Sequence, residues 1–197
     1  MIEPVSSAID DARATGPLAM LYGIADGVAL IAGFLAAICI AALTGLILAE
    51  IFVAFTARFI PVMPASIGIG WEYSAYLMGG SFMLGAGMTL RAGQQIRVEM
   101  LLWLQEGRFA RSLELVSSLI GLVVTIFLAV TMSQLTLRMF TSGEVSQSSF
   151  TPLWVPQSVL AFGAIVLMLQ MIIRTLVCLF GGRVDRPELG AATQIES

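Results

Sequence analysis

Apolar and polar positions along this chain separate into long blocks instead of alternating turn by turn. Val28–Ala49, Tyr73–Leu90, Leu115–Leu137 and Leu153–Ile173 contain no charged residue, and polar or Pro-bearing stretches divide them. A bilayer core is about 30 Å thick and a helix rises about 1.5 Å per residue, so roughly 20 apolar residues cross it. The pattern predicts an all-α integral membrane protein with four transmembrane helices. The second block reaches the required length by tilting or by placing Glu72 at the interface.

Boundary signals divide a single membrane domain, 1–197, into parts. Residues 1–16 form a polar tail that Gly16-Pro17 ends, and 17–57 hold an interfacial segment followed by the first span. Asp26 interrupts Leu18–Gly27, so that stretch is expected along the membrane surface. The first helix continues past Glu50 to about Phe55, where tilt absorbs its length. Pro61 and Pro64 then forbid helix. The second span is read at 66–90, the third at 113–138 and the fourth at 152–180, with a flexible tail over 181–197.

Between the second and third spans, residues 91–112 open with Arg91-Ala92-Gly93, a usual helix C-terminus. Ile96, Met100, Leu101, Trp103 and Leu104 then segregate from Arg97, Glu99, Gln105 and Glu106. This predicts an interfacial amphipathic segment with Trp103 at headgroup depth.

Charge placement orients the chain. All ten basic residues are Arg. Arg13, Arg91, Arg97, Arg108, Arg111, Arg174, Arg183 and Arg186 fall on one side of the predicted spans, and Arg58 and Arg138 on the other. The positive-inside rule puts both termini and the central loop in the cytoplasm. Glu3, Asp10 and Asp11 precede the first Arg, so no basic n-region and no cleavable signal peptide are expected.

Composition narrows the chemistry. Hydrophobic residues are 58% and charged residues 12%, which leaves no segment able to fold as a separate soluble domain. The chain has no His, hence no imidazole haem ligand and no His-based triad. It has no phosphate-binding glycine loop, and Gly85-x-Gly87 lies inside an apolar span as a packing feature. Cys39 and Cys178 are isolated and read as small apolar packing residues. No catalytic, cofactor-binding or metal-binding residue is expected, nor a nucleic-acid partner. The chain does not read as an enzyme.

What remains is helix contact and a few boundary charges. Ala25, Ala29, Gly33, Ala37, Ala41, Gly45 and Ala49 recur every four residues, a row suited to a neighbouring helix that crosses at an angle. Ala75, Gly79, Gly80, Ser81 and Gly85 offer a similar surface on the second span. Glu50, Arg58 and Glu72 gather toward one end, and an ion pair of Arg58 with Glu72 or with Glu50 is expected. Gln134, Gln157 and Gln170 are expected to hydrogen-bond between helices. Inverted repeats, broken helices and a polar midplane, the usual marks of a self-sufficient transporter, are missing.

The run Glu72–Met100 resembles the small membrane subunit of TRAP transporters, the DctQ family. Its acidic residue leads through Tyr76-Leu77 and Gly85-Ala86 to Arg91-x-Gly93 and Ile96-x-Val98-acidic, and Arg97 lies within that run. Arg58, a short Pro-bearing loop and a Trp before the acidic residue are similar too, although Trp71 stands closer to Glu72 than the family's Trp usually does. Gln95 departs from the family's frequent His, and Ala75 stands where a basic residue often precedes the Tyr.

The resemblance implies a three-part secondary transporter. A periplasmic solute-binding protein would capture an organic acid or similar solute. A large membrane subunit would carry the substrate and sodium sites, and this chain would support it in the bacterial cytoplasmic (inner) membrane without a cofactor of its own. Arg58, Trp71 and Glu72 would shape the external end and Arg91 through Glu99 the cytoplasmic end, with small-residue faces at the subunit contact. Two alternatives stay open. An independent oligomeric four-helix channel or exporter would turn Glu50 toward a shared pore. A membrane anchor for a redox or signalling complex would have to borrow every cofactor.

Overall fold

The structure is a computed structural model that describes residues 17–60, 64, 66–91 and 108–180. The described residues form four helices: α1 Pro17–Ala57, α2 Gly70–Arg91, α3 Arg108–Ser142 and α4 Trp154–Phe180. No strand occurs among them, only an isolated bridge between Val145 and Pro152. The expected polar tails, the interfacial segment from Ile96 to Glu106, and most of the Pro61–Pro64 turn lie outside the described residues.

Three stretches are long and apolar enough to cross a membrane: Gly23–Ala57, Leu115–Ser142 and Trp154–Leu176. α2 has 22 residues, about 33 Å, which suffices in length. It is less apolar because Glu72, Ser74, Gly79, Gly80, Ser81, Gly85 and Gly87 occupy positions that other helices fill with aliphatic side chains. The packing explains that composition. α2 lies between α1 and α4, and α4 in turn carries α3. A helix lined on two sides by neighbours needs small residues more than lipid-facing ones. Its outward stripe is correspondingly narrow, with Met78 and Phe82 exposed.

Direction follows from the contacts. Gly33 meets Met88, Ala36 meets Gly85 and Cys39 meets Gly80, so α1 and α2 are antiparallel. Gly79 meets Leu160, Gly163 meets Met83 and Gly87 meets Val166, so α2 and α4 run in the same direction at the centre. Thr175 reaches Ser118 and Gln157 reaches Met132, which makes α3 antiparallel to α4.

The α1 contact corrects the four-residue row. A row of buried or half-buried positions, Ala25, Ala29, Ala32, Ala36, Cys39, Leu43, Leu46 and Glu50, is spaced alternately by four and three, with Asp26, Val28 and Gly33 half-buried beside it. This is the 3.5-residue period of a left-handed seam, which keeps a straight face toward the partner helix. A strict four-residue row rotates off that face, and Ala37, Ala41, Gly45 and Ala49 are exposed.

A second correction concerns the start of α1. The helix passes through Asp26 without a break, and Ala25 is fully buried against α4 in a small cluster with Ile173 and Leu169. Ala25, Asp26 and Gly27 therefore join the bundle. Asp26 is tolerated there because it has a partner.

Candidate functional site

Polar contacts between helices collect toward the two ends of the bundle, and the interior between them is built from Ala32, Ala36, Leu84 and Val166. At one end α1 supplies Asp26, α2 supplies Arg91 and α4 supplies Gln170. Arg91 Nε donates to Asp26 Oδ1 at 2.7 Å, with side chains 4% and 15% exposed. Gln170 Nε2 donates to the Ala25 carbonyl at 2.7 Å. Arg91 is the last residue of α2, where the carbonyl end of the helix favours a cation. Burial of the pair makes its integrity matter: breaking one partner of a buried pair typically costs about 3–5 kcal/mol.

The other end is organised around two carboxylates. Glu50 Oε2 accepts from the Ile67 backbone N–H at 3.1 Å. Gly70, the first residue of α2, lies so close to Glu50 Oε1 that a Cβ there would collide with it. The carboxylate thus sits where the α2 backbone N–H groups begin, a position that favours negative charge. Glu72, in the first turn of α2, accepts from the Tyr76 hydroxyl one turn on.

The connection from Gly143 to Leu153 folds over this end. Its two arms exchange Ser146 N–H to Thr151 O at 2.9 Å and Leu153 N–H to Glu144 O at 3.0 Å. Ser146 and Ser149 lie beside the Glu72 carboxylate. Tyr73 and Thr151 join their hydroxyls at 2.8 Å, and Phe140 packs edge-on against Trp154 at 5.4 Å. Phe150 takes φ 56° at the turn, the left-handed region that disfavours a bulky side chain.

The structure therefore brings Glu50, Glu72 and Tyr76 to one end and Arg91 to the other. Arg58 is exposed beyond α1 and pairs with neither Glu50 nor Glu72, so the expected ion pair is replaced by Glu50 on a backbone N–H. The reason is register: the antiparallel α1–α2 contact presents Glu50 to the start of α2, while Arg58 lies two turns further on. Trp71 is 87% exposed. Gly79 stands where a Cβ would come within 3.3 Å of Leu160, a tight contact, whereas Gly85 is in ordinary contact with Ala36. Gly93, Ile96 and Arg97 lie outside the described residues. Gln157 and Gln170 reach neighbouring helices, and Gln134 is exposed.

Sequence reasoning missed Asp26 as the partner of Arg91, and Gly163. Both had a signal. Asp26 is the lone charge in an otherwise apolar stretch on one helix, and Arg91 is the lone charge at the matching end of its antiparallel neighbour. Gly163 sits with Ala161 and Ala164 in a small-residue patch of α4, where a Cβ would lie 2.7 Å from the Met83 carbonyl carbon.

Against known families, residues 43–181 match the family described as Tripartite ATP-independent periplasmic transporters, DctQ component. The chain belongs to the DctQ family. Comparison with curated proteins and with solved structures returned no match. The DctQ match spans part of α1, all of α2, α3 and α4, and the Glu50, Glu72 and Arg91 positions. It begins after Asp26, so the family match does not by itself supply the partner of Arg91. As a DctQ member the chain is a transporter component and not an enzyme.

Proposed function

We propose that this chain is the small, non-catalytic scaffold subunit of a sodium-coupled, binding-protein-dependent secondary transporter that imports an organic acid or a similar solute. It packs against the large membrane subunit, which holds the sodium and substrate sites, and works with a periplasmic solute-binding protein. The observation that carries this reading is the DctQ match over residues 43–181.

The distribution of polar groups supports it. A transporter that binds its own solute needs polar groups converging near the bilayer midplane. Here the buried cluster shared by α1, α2 and α4 between the two ends is built from Ala, Leu and Val side chains, and Thr125, buried midway along α3, bonds to carbonyls of its own helix. The fold is suited to holding a shape. Aromatic and aliphatic side chains cover the outer faces of α1 and α3, among them Phe34, Phe52, Val123 and Phe127. Those faces meet lipid and the large subunit. The exposed half of the small-residue row on α1, from Ala37 to Ala49, is where a partner helix would approach most closely.

In this reading α2 is a fourth span, shielded from lipid on two sides. The Arg distribution places both termini and the 91–112 loop in the cytoplasm, with that loop along the surface of the bacterial inner membrane. Glu50, Arg58, Trp71 and Glu72 then shape the periplasmic end, and Arg91 with Gly93, Ile96 and Arg97 the cytoplasmic end.

The test is affinity purification of the tagged chain, expressed with its neighbouring genes, in mild detergent. A larger membrane protein in fixed stoichiometry, and solute uptake only when both are present, is the expected result. A chain that purifies alone as a stable oligomer and conducts a solute in liposomes would overturn the reading.

A further inference from the structure

The Arg91 end contains an amide oxygen that the helix contacts leave unsatisfied. Gln170 is 2% exposed, and its Nε2 is committed to the Ala25 carbonyl, which fixes the orientation of the amide. Its Oε1 is buried and accepts no hydrogen bond. Leaving a buried acceptor unmatched costs about 1–3 kcal/mol, so the environment of Oε1 is informative. Gln170 also lines a small, partly open cavity of about 10 Å³, together with Leu90, Arg91 and Arg174. That space is close to the roughly 10–15 Å³ needed by the centre of one water molecule.

We propose that this cavity binds one resident water, which donates to Gln170 Oε1 and accepts from a guanidinium N–H of Arg91 or Arg174. The donor set selects the ligand. Two guanidinium groups repel a metal cation. A halide is disfavoured by the lone pairs of Oε1, and a phosphate is too large. An apolar group would leave Oε1 unmatched. Water alone both donates to the amide and accepts from the cation, and a guanidinium carries five N–H groups from which to supply that bond. With Arg91 as the donor, the water completes a closed path: Ala25 carbonyl on α1, Gln170 on α4, water, Arg91 on α2, and back to Asp26 on α1. A bridging water of this kind is enthalpically nearly equal to a direct hydrogen bond.

X-ray radiolytic labelling of the full chain in native membrane vesicles, in ¹⁸O water, tests the site. A bound water generates hydroxyl radical in place and oxidises the side chain next to it. Leu90 lines the cavity and Leu84 does not, although they are 5% and 2% exposed. The expected result is labelling of Leu90 several-fold faster than Leu84. In Gln170→Met, which fills the space and removes the amide, the rate at Leu90 falls to that of Leu84. Equal rates in the unaltered chain overturn the proposal without any variant having to fold. So does fast labelling of Leu90 that persists in Gln170→Met, because it reports bulk water entering from outside.

Discussion

Gly163 of α4 rests directly on the backbone of Met83 of α2, with the position of an absent Cβ only 2.7 Å from the Met83 carbonyl carbon and 2.9 Å from its oxygen. The contact involves main chain, so a side chain at 163 cannot be accommodated by a rotamer change. The two central helices would have to separate. Gly163→Ala is expected to cost about 1–3 kcal/mol, the usual range for overpacking a tight interior, and Gly163→Leu to abolish the fold. Gly45→Ala, with nothing within 4 Å, is the matched control and is expected to be neutral or slightly stabilising. Thermal unfolding in detergent, with each change made in a Cys39→Ala background and followed by thiol-reactive dye at the buried Cys178, separates the three.

The Asp26–Arg91 pair makes a sharper case. Asp26→Asn leaves a guanidinium that is 4% exposed without its carboxylate, and a loss of about 3–5 kcal/mol is expected. Asp26→Asn combined with Arg91→Met removes both charges and is expected to be markedly less damaging than Asp26→Asn alone. A double variant at least as unstable as the single one would show that the charge is not the source of the cost. The same dye assay reads the comparison.

At the opposite end, Glu50 and Gly70 are expected to be coupled. Gly70→Ala drives a methyl group into the Glu50 carboxylate, and Glu50→Ala leaves the Ile67 N–H without its acceptor. Each single change is expected to cost on the order of 1–3 kcal/mol. The double change Gly70→Ala/Glu50→Ala is expected to cost less than the sum, because the collision disappears with the carboxylate. Strict additivity in the unfolding free energies would count against the contact.

Orientation is open to direct chemistry. In a chain lacking Cys39 and Cys178, Gln147→Cys at the exposed 143–153 loop is expected to react with a membrane-impermeant maleimide added to intact cells. Ser197→Cys in the C-terminal tail is expected to react only after the membrane is opened. The reverse pattern would invert the topology drawn from the Arg distribution.

Much of the architecture was legible in the sequence because the need to remain apolar over a fixed length leaves few choices. The apolar blocks appear as helices, with α4 running from Trp154 to Phe180 and α1 continuing past Glu50 to Ala57. The interior partners were harder to see. α1 is apolar nearly all round, so its buried face has no amphipathic signature. The four-residue row of Ala and Gly is more conspicuous in the sequence than the 3.5-residue seam through Ala32, Ala36 and Cys39. Once that seam sets the register, the partners of Asp26 and Glu50 are determined. Without it, Arg58 was as plausible a partner as any for Glu50.

α1 is fastened to α2 and its entry at two places, through Asp26 to Arg91 and through Glu50 to Ile67, about 36 Å apart along α1. A sliding step of one helical turn, about 5.4 Å, exceeds the reach of a hydrogen bond at either place and so would undo both fastenings. The two helices are therefore latched like a bolt held at both ends, and relative sliding of α1 and α2 requires both contacts to break.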